Sequence, residues 1–337
     1  MPRNRAASQR RLTSAERPER RIKCLVTGSG GFIGSHLVAY LVGRGFRVWG
    51  MTRRTGAAPA AFHRDFQSVL CGITDRKRLE RIVADIQPEK VFHLAAQSYP
   101  MKSWQDAEET LKVNLFGALY LLEAIRKAQL DPVILMLGSS AEYAPPGKDD
   151  GRIGEDHEIN PLSPYGVSKA AADLLARLYF RACRMKIVRV RPFAVIGPGK
   201  EWDACSDFAR QISAVDRAVG GELSVGNLNA VRDFLDVGDA VRALDLLAEK
   251  GRPGDVYNIA AGQGVSLQHV LTRLISLSGK KISVRVDPDR LRPVDQQAIV
   301  GDNRKLRRLG WEPAIPLDET LRGILQFWDS RAKAASA

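Results

Sequence analysis

Cys24-Leu-Val-Thr-Gly-Ser-Gly-Gly-Phe-Ile-Gly34 is the stretch that decides the fold. A short apolar run passes through Thr27 into a cluster of glycines, and from Phe32 the apolar residues recur at helical spacing. Glycines 28, 31 and 34 fall at every third position, with Gly30 also in the turn. Glycine is required where φ is positive or where backbone must come close to a phosphate. A helix that starts just after such a turn points unpaired N–H groups, and the positive end of its dipole, at an anion. The stretch therefore predicts a strand, a turn and a helix that cradle a dinucleotide pyrophosphate, with Gly28, Gly30, Gly31, Phe32, Ile33 and Gly34 against the cofactor.

Outward from this unit the chain alternates short apolar runs with longer amphipathic segments, the pattern of an α/β doubly wound parallel sheet of Rossmann type. Strands are expected at Lys23–Thr27, Arg47–Met51, Ser68–Cys71, Lys90–Leu94, Val133–Leu137 and Lys186–Val190. Helices are expected at Phe32–Gly43, Asp75–Gln87, Ala107–Ala128 and Pro164–Cys183, with Pro88 and Pro132 stopping two of them. Beyond Pro192 the elements shorten and Gly/Pro punctuation increases, as in Gly197-Pro-Gly199. The expected organisation is a basic leader (1–21), a dinucleotide-binding domain (22–191, with 236–265 returning to it) and a smaller C-terminal α/β substrate lobe (mainly 192–337). No internal repeat is visible.

The 337 residues carry a net charge of +13, with 45% hydrophobic and 26% charged residues. Residues 1–23 hold eight Arg/Lys against Glu16 and Glu19, a net +6, so nearly half the excess lies in one polar leader. That leader reads as a disordered, dispensable tail without the apolar stretch of a secretory signal. The remaining +7 suits anionic, phosphorylated small ligands better than nucleic acid. No run approaches a membrane span. The four cysteines (Cys24, Cys71, Cys183, Cys205) and five histidines show no metal-ligand spacing. A reduced, cytoplasmic setting is expected.

The second strand ends in Arg53-Arg54, where an enzyme preferring NAD usually carries a carboxylate for the ribose 2′-hydroxyl. Two arginines favour a 2′-phosphate, hence NADP(H), with NAD(H) the alternative. Far downstream, Tyr165-Gly-Val-Ser-Lys169 places a phenol and an ammonium at i, i+4 on one helical face. Tyrosine ordinarily titrates near ~10; a neighbouring ammonium and the positive nicotinamide ring both favour its phenolate, so its proton can be exchanged near neutral pH during hydride transfer at a carbonyl. Ser139 and Ser140 follow the strand Val133–Leu137, at the carboxyl end where open α/β sheets bind ligands.

These residues carry a resemblance to the extended short-chain dehydrogenase/reductases, from Ile22 to about Trp328. Its motifs are VTGSGGFIGSH, HLAAQS (93–98), Asn114 in KVNLFG, GSSAEY (138–143), YGVSK and RPFAVIGPG (191–199). The resemblance implies that Ser139 is the catalytic hydroxyl, Tyr165 the acid/base, and Lys169 its partner and a ligand of the nicotinamide ribose. It also implies binding roles for Leu94, Ala95, Ala96, Ser98 and Pro192. Val225–Asp236 resembles a segment shared by enzymes of GDP-mannose metabolism. Ser206–Ile212 and the stretch from Arg292 to Asp302 resemble GDP-4-keto-6-deoxymannose reductases in particular. Arg232 and Arg292 are then candidates for the substrate diphosphate, since guanidinium forks match phosphate oxygens, and Asn227 and Ser140 for further substrate contacts. The implied reaction is NADPH-dependent reduction of a GDP-linked 6-deoxy-4-keto sugar.

The competing reaction is that of a GDP-mannose 4,6-dehydratase, which needs a further carboxylate two positions after the catalytic Ser/Thr. Counted from Ser139, with Tyr143 as anchor, that position is Ala141. Glu142 comes one residue late, and on an extended backbone a one-residue shift turns a side chain to the opposite face. Other nucleotide-sugar epimerases or dehydratases, and a non-catalytic NADP-binding scaffold, are the remaining alternatives. One departure from the family stands at Gly72, where relatives carry an acid near the adenine. A homodimer through the helices around 107–128 and 164–183 is expected by analogy alone.

Overall fold

The computed structural model describes residues 21–53, 65–147, 151–216, 218–290 and 297–336. The leader, Arg54 and Arg292 lie outside these residues. The chain runs β1 (Lys23–Thr27), α1 (Phe32–Gly43), β2 (Arg47–Thr52), β3 (Phe66–Leu70), α2 (Arg76–Ile86) and β4 (Lys90–His93). It continues through α3 (Pro100–Gln105), α4 (Ala107–Leu111), α5 (Gly117–Lys127), β5 (Val133–Leu137), α6 (Pro164–Cys183) and β6 (Ile187–Pro192). Then come β7 (Ala194–Ile196), α7 (Ala204–Ala214), β8 (Gly221–Val225), β9 (Val231–Asp236), α8 (Val237–Lys250) and β10 (Val256–Ile259). The last elements are β11 (Gly264–Ser266), α9 (Leu267–Ser278), β12 (Ile282–Val286), β13 (Ala298–Ile299), α10 (Arg304–Arg307) and α11 (Leu317–Ser336).

Seven parallel strands form one sheet in the order β3-β2-β1-β4-β5-β6-β10. The strand order reverses between β1 and β4, which opens a crevice at their carboxyl ends. Thr27 lies opposite His93 in that register, so the glycine turn and the segment after β4 meet at the crevice. Leu37, Val38 and Leu41 of α1 are all but inaccessible and join β1, β6 and α8 in one core. The other face of the sheet packs on α2, α5 and α6. Burying each such side chain contributes roughly 1.5–3 kcal/mol, and two covered faces explain why these strands read as unbroken apolar runs.

Downstream of β6 the chain divides. β10 returns to the edge of the large sheet, while β9 pairs with β7, β11 and β13 and β8 pairs with β12. A separate core beneath these short strands is built from α7, α9 and α11.

Two local details set up the site. Asp75 caps α2 by accepting the Arg78 N–H, and the helix ends at Gln87 in a left-handed conformation before Pro88. The expected helix over 107–128 is interrupted: Lys112–Phe116 forms one wide π turn between α4 and α5. Such turns hold an extra residue that an α-helix would not accommodate, and here Asn114 is buried within it.

Candidate active site

The glycine turn is held by its neighbours. Gly28 and Ser29 donate their N–H groups to the Met51 carbonyl at the end of β2 (2.9 and 3.1 Å). Gly28 has φ +74°, and a Cβ there would lie 2.7 Å from the Ala95 nitrogen. A Cβ on Gly34 would come within 2.1 Å of the Gly28 carbonyl oxygen. Gly31 caps α1 in an extended conformation with no side-chain cap and no acidic residue in the first turn. The first-turn N–H groups are thus left to an external anion. The residues present fit a dinucleotide pyrophosphate. Gly30 and Gly31 are exposed at the turn, and Phe32 and Ile33 are half-buried at the helix start.

The Leu94 and Ala95 backbone closes on Gly28 from the other side, with Ala96 half-buried after them. The Ala95 N–H donates to Thr27 Oγ1 (3.2 Å), leaving the Thr27 hydroxyl to donate to His93 Nδ1 (2.9 Å). Burial pushes His93 down to about 3, so the ring is neutral and suited to accept. Arg53 is exposed at the end of β2, and Pro192 is half-buried at the end of β6. Gly72 is open: a Cβ would reach only Thr74 Oγ1, at 4.0 Å.

Tyr165 and Lys169 lie in the first turns of α6, whose start is fixed by Ser163 capping the Gly166 N–H (3.1 Å). Gly166 is needed because a Cβ would fall 2.4 Å from the Ala141 carbonyl oxygen. The first turn of α6 therefore packs backbone to backbone on the Ser139–Glu142 turn, which brings Tyr165 to Ser139. The Tyr165 N–H donates to Ser103 Oγ of α3 (3.1 Å). Ser168 donates to the Tyr165 carbonyl (2.7 Å) and accepts from Asn114 Nδ2 (2.8 Å). Asn114 also accepts the Gln97 N–H (2.8 Å), so the π turn ties the 93–98 segment to α6.

In the protein alone, burial governs the phenol. Burial pushes Tyr165 up to about 12, and the opposing influence is a hydrogen bond with Ser139. Lys169 is itself pushed down to about 8 by burial, and its ammonium donates to the Leu137 carbonyl (2.7 Å). The protein alone thus keeps Tyr165 protonated, the form that donates a proton to an alkoxide.

Glu142 lies close enough for its charge to raise both Tyr165 and Lys169. It is fully buried, one oxygen accepting the Ser139 N–H (2.7 Å) and the other Arg191 Nε (2.8 Å). Arg191 continues to Asp173 (2.9 Å), which also binds Arg189 (2.7 Å). Sequence reasoning did not assign Arg189, Arg191 or Asp173 a place beside the site. The signal for the first two was a pair of cations alternating along a strand that is buried on both faces.

The substrate-lobe candidates are held differently. Asn227 accepts the Asn229 N–H within its own turn (3.0 Å), and Arg232, half-buried on β9, donates to the Val231 carbonyl (2.9 Å). Ser140 is half-buried within the short turn Ser140–Glu142, and Ser98 is exposed after Gln97.

The family description GDP-mannose 4,6 dehydratase matches residues 25–324. A GDP-6-deoxy-D-mannose reductase from Pseudomonas aeruginosa is 31% identical, covering 92% of this chain and 98% of its own. The solved structure of RMD from Pseudomonas aeruginosa complexed with NADPH superposes with a TM-score of 0.79 at 29% identity, over 92% of this chain and 99% of that one. The UDP-glucose 4-epimerase of Thermus thermophilus in complex with NAD gives 0.82 at 27% identity, over 91% and 99%. The cofactor expectation, NADP(H) with NAD(H) as alternative, agrees with these relatives. The matched span runs from β1 into α11, and the chain belongs to the GDP-mannose 4,6 dehydratase family within the extended short-chain dehydrogenases/reductases.

Proposed function

We propose that this protein reduces the C4 ketone of GDP-4-dehydro-6-deoxy-D-mannose with NADPH, giving GDP-D-rhamnose or its C4 epimer. The observation that carries this reading is the fate of the one carboxylate in the Ser139 turn. A dehydratase needs an acid that reaches the sugar, yet Ala141 stands at that position and both oxygens of Glu142 are bound inside the protein. What remains at the cleft is a hydroxyl, a protonated phenol and a buried ammonium, a set suited to protonating a reduced carbonyl.

Bound NADPH would supply the hydride. Ser139 orients the ketone oxygen, Tyr165 gives its proton to the C4 alkoxide, and Lys169 stabilises the resulting phenolate and holds the nicotinamide ribose. Gly28 to Gly34 and Leu94 to Ala96 hold the dinucleotide, with Arg53 and Arg54 at its 2′-phosphate. Arg232 and Arg292 bind the substrate diphosphate, and Asn227, Ser98 and Ser140 orient the nucleotide sugar. The apolar face of α6, with Val167, Leu174 and Leu178 exposed by 46%, 57% and 56%, continues to Phe116 and would pair with a second copy.

The test mixes protein, GDP-mannose, NADPH and an independent GDP-mannose 4,6-dehydratase and follows absorbance at 340 nm, each component being omitted in turn. NADPH loss that requires the added dehydratase supports the reductase. Conversion of GDP-mannose to the 4-keto sugar by this protein alone, without net NADPH loss, makes it the dehydratase.

A further inference from the structure

Glu142 is a buried group that the proposed chemistry leaves unused, and its surroundings are built for it. A Cβ on Gly138 would lie 2.2 Å from Glu142 Oε1, so a glycine is required before Ser139 to admit the carboxylate. Ser139 is bound twice within the same turn. Its N–H donates to Glu142 (2.7 Å), and its Oγ accepts the Ala141 N–H (3.1 Å). With its N–H and one hydroxyl lone pair fixed, Ser139 is set beside Tyr165, whose helix packs through Gly166 on the Ala141 carbonyl of the same turn.

The other end of the carboxylate leads to the substrate lobe. Arg191 binds Glu142 and lies 4.8 Å over the Tyr143 ring. The Tyr143 hydroxyl donates to Asn258 Oδ1 (2.7 Å), and Asn258 Nδ2 donates to the Ile153 carbonyl (3.0 Å). Ile153 in turn pairs with Val300 and Asp302 through its N–H and carbonyl (2.8 and 2.9 Å). Asp233 of β9 accepts the next N–H in that segment, Gly301 (3.0 Å).

We propose that Glu142 is a positioning residue: clamped by Arg191, its carboxylate fixes the backbone of Ser139 so that the hydroxyl meets Tyr165, and it joins that turn to the Val300–Asp302 segment of the substrate lobe. The proposal rests on the reading that Ser139 and Tyr165 carry the reduction. An anion is required, because both oxygens face N–H donors. An amide at this place must turn its own N–H groups toward either Ser139 or Arg191.

Glu142→Gln is expected to lower kcat on the 4-keto sugar ~10–100-fold, the scale of a small misplacement of a reacting group, with KM for NADPH within about twofold. In a Ser139→Ala background the same change is expected to cost less than about threefold, because its effect passes through Ser139. Losses that multiply in the double variant, or wild-type kcat in the single one, would overturn the proposal. If Glu142→Gln does not fold, Gly138→Ala, which keeps every charge and presses on the carboxylate, takes its place in the cycle under the same criteria.

If the wild type turns over no 4-keto sugar, the substrate assignment fails by itself, and amide hydrogen exchange decides this one. Exchange that rises in Glu142→Gln within 138–143 and 299–302, while α1 is unchanged, supports it. Unchanged exchange in both segments overturns it.

Discussion

Replacing Gly34 by alanine separates a glycine needed for ligand geometry from one that is merely present in a helix. The new Cβ would stand 2.1 Å from the Gly28 carbonyl oxygen, where real Cβ contacts essentially never fall below 3.0 Å, so turn and helix must part by 0.9 Å. Gly28 cannot yield easily, since its N–H is bound to Met51 and its Cα faces the Ala95 backbone. The start of α1 must move instead, and an N–H···O bond stretched by such an amount is no longer one. Losing one charge-assisted bond to a phosphate costs roughly 1.5–3 kcal/mol. At 1.4 kcal/mol per tenfold, that is a rise in Kd of roughly 10- to 150-fold. Gly43, the last residue of the same helix, has nothing within 4 Å of its ideal Cβ. Gly43→Ala is therefore expected to leave binding unchanged and to stabilise the fold by about 0.4–1 kcal/mol. Titration of NADPH by its own fluorescence reads both variants and needs no substrate. Wild-type affinity in Gly34→Ala, or equal weakening in both, would refute the cradle at the α1 N-terminus.

Three further expectations follow from the same geometry. Tyr165→Phe should lower kcat by ~10²–10⁴-fold while cofactor titrations stay near wild type, and near-normal turnover would end its assignment as the acid. With Lys169 at about 8 and Tyr165 at about 12, turnover should fall as pH rises through about 8, and Lys169→Met should lack that limb. Stability should move the other way: the folded pKa lies below the ordinary 10.5, so the unfolded chain holds the proton longer and this residue's contribution grows from about pH 8 to 10.5. A limb near 8 that survives in Lys169→Met would assign it elsewhere. Asp173→Asn strips the shared carboxylate from Arg189 and Arg191. Breaking a buried pair costs about 3–5 kcal/mol, which for a chain of this length lowers Tm by roughly 4–7 °C; calorimetry showing less than about 1 °C would contradict it.

The central strands were legible because they are buried on both faces, and α2 and α5 because each carries one apolar face. The departures have local causes. Asp75 was placed inside α2 but serves as its cap, because its side chain competes for the Arg78 N–H. The π turn at 112–116 was not legible, since Lys-Val-Asn-Leu-Phe has the same apolar spacing in either helix type. What selects the wide turn is tertiary: Asn114 must satisfy Gln97 and Ser168 together. The third strand was expected one or two residues late, as Phe66 and Gln67 pair with Val48 and Trp49 at an edge where alternation is weak.

At the site the sequence carried the identities of the reacting groups but not what holds them. Tyr165, Lys169 and Ser139 are legible because their chemistry demands particular residue types at particular spacings. Their supports are long-range contacts made by residues of ordinary type, such as Ser103 on the Tyr165 N–H or Ala141 under Gly166. Glu142 shows the limit most sharply. Alternation on an extended backbone would turn it from the sugar, whereas Ser140–Glu142 form a tight 3-10 turn in which its carboxylate is completely buried. A carboxylate turned away from the sugar can persist only where donors meet it. Gly138 leaves its space, the Ser139 N–H meets one oxygen, and Arg191 meets the other. Burial and the Asp173 charge nonetheless push this acid upward, so the anion that binds Ser139 is held against a real cost. A leucine would fill the space without that cost, but it would leave the Ser139 N–H and the Nε–H of Arg191 buried without a partner, Arg191 keeping only Asp173 as its counter-ion. The costly group is retained where its removal would strand two others, one of them the backbone of the residue placed to meet the substrate.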